Sequence, residues 1–283
     1  MGVLVLPYLG SLGLVRYAAG SEEPMEHVQI SQEGHVLVIT LTRPEKYNAL
    51  SPAMFRALGQ ALARLNREPD LRVAVLHAPG RQFTAGVELD LWAPLFASGN
   101  PFPLDEGEVD PMGLRQPRHE KPLVIAVQGY CFTWGVEILL NTEIRIAARD
   151  TQFQMLEVQR GIFPCGGATA RLPRQIGWGN AQRVLLTGDR WSADDALRWG
   201  MVQEVVEPGE QLGKAMEYAR KLADCAPLGV QGVLRSTRAF DSQDFDAAVA
   251  QMFLDLRPVM RSEDAAEGVR SFIERRKAVF QGR

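Results

Sequence analysis

Residues 123–140 read LVIAVQGYCFTWGVEILL. Leu123 to Val127 is an unbroken apolar run of strand length. Small residues follow around Gly129, and from Gly135 the pattern turns helical, with Glu137 set among Val136, Ile138, Leu139 and Leu140. A strand apolar on both faces that gives way to a helix is the building unit of α/β architecture. The junction also frees backbone N–H groups at the helix start, where they can bind an anion or a developing oxyanion. Glu137 is the costly residue, because a carboxylate one turn into an apolar helix must be compensated. Two plainer readings stand beside this one. The glycines can simply permit a tight turn, and Glu137 can face solvent or pair with Arg145 or Arg149.

Working outward, two more segments repeat the pattern: Gly80-Arg-Gln-Phe-Thr-Ala-Gly-Val-Glu-Leu89, and Phe153-Gln-Met-Leu-Glu157 running into Gly161-Ile-Phe-Pro-Cys-Gly-Gly167. Glu157 lies in an apolar stretch like that of Glu137, with Arg160 or Arg171 as structural partners in the plainer reading. Two such junctions, converging, would make an oxyanion hole.

Upstream, alternation from His27 and again from His35 to Thr42, across a Gln-Glu-Gly turn, predicts a β-hairpin. Ser51 as N-cap and Pro52 at the first helical position open a helix carrying Met54, Leu58, Leu62 and Leu65. Val73–Leu76 and Ile144–Ala147 are further short strands. Between Ala93 and Lys121, five prolines and three glycines predict a long loop, of the kind that serves as lid or binding loop. From Gly209 onward the pattern is helical, with one stripe at Leu212, Met216, Ala219 and Leu222 and another at Val249, Met252, Phe253 and Leu256. A last helix is expected from Ser262 to Phe280, its acids Glu263 and Asp264 first and its basic run Arg275–Lys277 near the end, as the helix dipole favours. The reading is therefore an α/β core over residues 25–208, a helical region over 209–283, and an N-terminal extension over 1–24 outside the fold, with translation expected to begin at Met25. That extension is too interrupted by Pro7, Gly10 and Gly13, and too poor in early positive charge, for a signal peptide or a membrane span.

Composition narrows the function. With 46% hydrophobic and 23% charged residues among 283, the chain can build a substantial core. Its 31 Lys and Arg against 34 Asp and Glu leave a formal charge of −3, which offers no basic footprint for a nucleic-acid backbone. Three cysteines and four histidines, far apart in sequence, draw no zinc ribbon, C-x-x-C pair or H-E-x-x-H helix. No metal is therefore expected, a cytoplasmic setting suits the cysteine count, and any acid/base groups are expected to be carboxylates.

From Met25 to Arg283 the joint pattern resembles the crotonase (enoyl-CoA hydratase/isomerase) family. The resemblance rests on Arg43-Pro44 followed by Asn48-Ala49-Leu50, the Phe83-Thr-Ala-Gly86 turn, Lys121-Pro122 before the strand, Gly135 with Glu137, Glu157 at the hydratase spacing, and Pro164. Arg171-Leu-Pro-Arg174, Leu186-Thr-Gly188 and the Glu263 to Arg276 series complete it. It implies a spiral of ββα units with a helical trimerisation region, assembling as a trimer or a dimer of trimers. It implies an acyl-CoA thioester substrate and no separate cofactor, coenzyme A being part of the substrate. The thioester oxygen would sit between the backbone N–H groups of Val87 and Trp134. Glu137 would deprotonate the water attacking Cβ of a trans-2-enoyl-CoA, and Glu157 would exchange the proton at Cα. Coenzyme A would lie against Ala85, with Arg43, Lys46 and Arg81 as phosphate partners and Arg275–Lys277 reaching a neighbouring subunit; the plainer reading of all these cations is a solvated face.

Three departures from the family pattern bear on activity. Trp134 stands where hydratases commonly have glycine, which narrows or reshapes the acyl pocket. Cys165 replaces the aspartate of dienoyl isomerases. Asp90 stands where a lysine is often found. The competing readings are an enoyl-CoA double-bond isomerase, which needs one carboxylate and no activated water, and a catalytically idle acyl-CoA-binding member of the family.

Overall fold

The computed structural model describes residues 27–99 and 102–283; the expected extension 1–24 and the start at Met25 lie outside them. The hairpin forms as the alternation predicts. β1 (Val28–Glu33) pairs antiparallel with β2 (Val36–Leu41), Ile30 opposite Ile39, across a turn in which Gly34 takes φ +57°. Ser51 caps α1 (Pro52–Arg67) by accepting the Met54 N–H at 3.2 Å, and Phe55, Leu58, Leu62 and Leu65 face inward. There follow β3 (Val73–His77), α2 (Leu89–Ala97), β4 (Leu123–Val127), β5 (Tyr130–Phe132), α3 (Trp134–Leu139), β6 (Ile144–Ala148), β7 (Gln152–Gln154), α4 (Ala168–Ile176), α5 (Trp178–Thr187), β8 (Trp191–Ser192), α6 (Ala193–Arg198) and β9 (Glu204–Val206). Helices α7 (Gln211–Ala223), α8 (Pro227–Ser242), α9 (Phe245–Met260) and α10 (Glu263–Glu274) complete the chain. The chain thus adopts the α/β spiral of ββα units with a helical C-terminal region.

The main sheet runs β1-β2-β3-β4-β6-β9, parallel from β2 onward, and a smaller sheet runs β5-β7-β8. Strand alternation divides the apolar residues between two layers. Leu37, Ile39, Leu76, Ile125 and Val127 join α1 and the smaller sheet in the main core, while Val36, Val38, Val75, Val124 and Ile146 pack on Ala215, Met216 and Ala219 of α7. All five residues of β4 are buried, which accounts for its unbroken apolar run.

Three expectations need correction. Helix α2 continues through Pro94 to Ala97, anchored by Trp92, which is fully buried and donates its indole N–H to the Leu50 carbonyl at 2.8 Å, so the irregular segment begins later than Ala93. That segment is not loose: Val109, Asp110, Met112 and His119 are buried. Helix α10 ends at Glu274, where Arg275 turns left-handed at φ +53°. Beyond it Arg276 returns to Glu267 and Glu274 and Lys277 pairs with Asp224 at 2.6 Å, so two of the three basic residues are committed within the chain. Of the α9 stripe, Phe253 and Leu256 are exposed. Among the described residues no helix is long and apolar enough to cross a membrane.

Candidate active site

The three glycine-rich segments converge where β5 and β7 end. The Thr84 N–H donates to the Tyr130 carbonyl at 2.8 Å and the Phe132 N–H to the Thr84 carbonyl at 3.1 Å. One residue further, the Thr133 N–H donates to the Gln154 carbonyl at 2.8 Å. Leu50 N–H and Leu50 carbonyl bond Gly86 and Glu88 on either side of Val87, at 2.7 and 3.2 Å. Among the described residues the Val87 N–H has no backbone acceptor, and neither has that of Trp134, the first residue of α3. Gly86 takes φ +106°, and a Cβ there would fall on the Thr133 hydroxyl. This contact between the two loops sets the spacing of the two amides.

Val87 and Trp134 both line a cavity of about 140 Å³, whose polar wall includes Thr133, Glu157 and Cys165 and whose apolar wall includes Ala85, Leu89, Phe96 and Ile162. Trp134 is held by an aromatic cluster: its ring centroid lies 4.3 Å from that of Trp92, 5.2 Å from Phe55 and 5.7 Å from Phe102.

Glu157 opens a short 3-10 turn (Glu157–Arg160), lines the cavity and is only 8% exposed; burial pushes its carboxyl up to about 7. Glu137 lies deeper, fully buried. One oxygen accepts the Gly166 N–H at 2.7 Å and the Ala168 N–H at 3.1 Å. Burial, joined by the charge of Glu157, pushes Glu137 up to about 8, against the pull of the two amides and Arg171. Each glutamate keeps one buried oxygen with no hydrogen-bond partner. The ion-pair reading fails for both, since among the described residues neither forms a salt bridge. Arg145 instead donates to the carbonyls of Leu140, Thr142 and Met201, and Arg149 pairs with Asp194 and Glu207. Any side chain at Gly166 would strike Glu137 and Met112. Cys165 sits beside both acids; burial foremost, then their charge, pushes its thiol up to about 11.

A second cavity, about 470 Å³, adjoins the first and is lined by Tyr47, Gly80, Arg81 and Tyr130 among others. The Ala85 N–H donates to the Tyr47 carbonyl at 2.9 Å and so joins the two walls. Arg81 and Lys46 are exposed, whereas the Arg43 guanidinium is taken up by Glu88. Sequence reasoning missed Tyr47, Tyr130 and Thr133. Thr133 adopts φ +48°, ψ −112°, a conformation that nothing in a threonine announces. Among the described residues no group of three His, Cys, Asp or Glu is placed to hold a metal ion.

The family model described as enoyl-CoA hydratase/isomerase matches residues 31–283. An enoyl-CoA hydratase of Mycobacterium tuberculosis, EchA19, is 36% identical over 259 residues, covering 90% of this chain and 96% of that one. The (E)-benzylidenesuccinyl-CoA hydratase of Thauera aromatica is 34% identical, covering 90% and 99%. The crystal structure of a probable enoyl-CoA hydratase/isomerase from Mycobacterium abscessus superposes with a TM-score of 0.89 at 42% identity, covering 92% and 100%. With Glu157 on the cavity wall and Glu137 buried behind it, two amides without a backbone acceptor, this fold and these relatives, the chain belongs to the crotonase, or enoyl-CoA hydratase/isomerase, family.

Proposed function

We propose that the chain is an enoyl-CoA hydratase that adds water in the syn sense across a trans-2-enoyl-CoA thioester. The observation that carries this reading is the pair of buried glutamates, each with an unpartnered oxygen and each raised toward neutrality. Hydration needs a base and an acid at once, and two carboxyls of which one is ionised and the other protonated supply both. The Val87 and Trp134 amides receive the thioester oxygen and stabilise the enolate. Glu137 takes a proton from water as the hydroxyl bonds to Cβ; the electron pair moves through Cα to the thioester oxygen, and Glu157 delivers its proton to Cα. An isomerase would need only one such acid, so the second costly carboxyl favours hydration.

The acyl part occupies the cavity beside Trp134. Coenzyme A runs past Ala85 toward the Tyr47–Tyr130 cavity, where Arg81 and Lys46 meet its phosphates; Arg43, neutralised by Glu88, shapes the loop rather than meeting a phosphate. Exposed Phe253, Leu256 and Met260 on α9 favour burial between copies, with residues 209–283 as the trimerisation region. Light scattering is expected to give three or six times the chain mass of 31.4 kDa, and a monomer would exclude this assembly. The three unpaired cysteines suit work in the cytoplasm. The test of function is incubation with trans-2-enoyl-CoAs of several chain lengths while following the conjugated-thioester absorbance. Its loss, with formation of the 3-hydroxyacyl product, is expected; no loss at any length would sink the hydratase reading.

A further inference from the structure

A separate cavity of about 380 Å³ lies where the ends of α3 and β6, the helix α4 and the helix α8 meet, and five arginines line it. Only two acids, Glu143 and Asp241, face them. Arg238 is spent on Glu143, at 2.9 Å, and on His119, and Arg174 is spent on Asp241 at 2.6 Å. Arg145 satisfies its donors on Gln175 and on main-chain carbonyls.

Two guanidinium groups, Arg118 and Arg171, form no salt bridge among the described residues, although the charges of Glu137, Asp110 and Asp241 reach Arg171 from further away. Arg171 makes only long contacts, 3.4 Å to the Gly166 carbonyl, 3.5 Å to that of Gly113 and 3.4 Å to the Asn141 side chain. Arg118 keeps a buried Nε with no partner at all. Half-buried cations set side by side with no acid in bonding contact are costly, and an orphaned buried donor needs an explanation. The cost is visible in Arg171, which burial and the neighbouring Arg118 hold below the ordinary arginine range.

We infer that this cavity is a binding site for a small phosphate-type oxyanion, gripped by Arg118 and Arg171 with Arg174 at its mouth. A tetrahedral oxyanion offers several acceptor oxygens to forked guanidinium donors, enough for the orphaned Arg118 Nε and the long-reaching Arg171 together. The site is distinct from the cavities assigned to the acyl chain and to coenzyme A, and it shares no lining residue with either.

The test is titration of the full chain with inorganic phosphate at pH 7.5, by calorimetry and by thermal shift, against sodium chloride at matched ionic strength. Saturable binding and a rise in Tm specific to phosphate are expected. Arg118→Gln should weaken binding roughly tenfold or more, the worth of one charged hydrogen bond. Arg118→Lys, which keeps the charge but loses the fork, should fall between. Arg81→Gln should bind phosphate as the parent does, which separates this site from the coenzyme A cavity. The inference is overturned if phosphate stabilises no more than chloride, if Arg118→Gln binds like the parent, or if Arg81→Gln abolishes the binding.

Discussion

Glu137 and Gly166 meet through one 2.7 Å hydrogen bond that uses a single carboxyl oxygen and leaves the other buried and unpaired. A glutamine can keep that bond through its carbonyl oxygen while carrying no charge. Glu137→Gln should therefore lower hydratase turnover by roughly 10²-fold or more, the usual worth of a general acid or base, and raise stability. The sign follows from linkage. A carboxyl pushed up to about 8 in the fold costs nothing while protonated, and costs progressively more as pH rises from the unfolded value near 4.5 through 8. The gain in Tm should thus be larger at pH 8.5 than at pH 5; an equal gain at both would remove burial of charge as its cause.

Burial raises both glutamates, and the charge of Glu157 adds to the rise of Glu137. Below about 7 both hold protons and no base is present; above about 8 both are ionised and no acid is present; between these values the proton rests mostly on Glu137, so the form that hydrates, with Glu137 ionised and Glu157 protonated, is the minor singly protonated state. Hydratase kcat/KM should be bell-shaped, with its maximum between these values. A profile flat from pH 6 to 9 would remove the two glutamates as the acid and the base.

Thr133 holds a left-handed backbone that β-branched residues avoid, at a cost of about 1–3 kcal/mol. Replacing it with glycine should release part of that cost, and Tm should rise by about 2 °C. Scanning calorimetry decides the matter, and an unchanged or lower Tm would mean that the loop carries no strain.

Trp134 fills space against Trp92, Phe55 and Phe102. Trp134→Ala should destabilise by about 3–5 kcal/mol and enlarge the acyl cavity while keeping the backbone amide. The ratio of kcat/KM for long against short enoyl-CoAs should rise. If long chains gain nothing, Trp134 does not bound the acyl end.

The hairpin, the Ser51 cap and the buried strands were legible because local periodicity and capping chemistry decide them. So were the two acids, because a carboxyl in an apolar run is an anomaly visible at a distance. Pro94 misled, since the buried indole of Trp92 holds α2 together despite the missing N–H. The packed turn at Val109 and Met112 has no period to read. The commitment of Arg43 to Glu88, 45 positions away, exists only after folding. The same is true of Arg118 beside Arg171 and of the Thr133 hydroxyl beside Gly86, where tertiary contact alone makes the neighbours.

The indole of Trp134 that walls the acyl cavity, edge-on to Trp92, also gives the protein an optical reporter of its own. On the proposed function, an acyl chain that enters the cavity would exchange water for hydrocarbon beside a fluorophore in contact with a second one. Arrival of substrate would then be written into the emission of one of the chain's five tryptophans, and the binding step could be timed apart from the chemistry without adding a label.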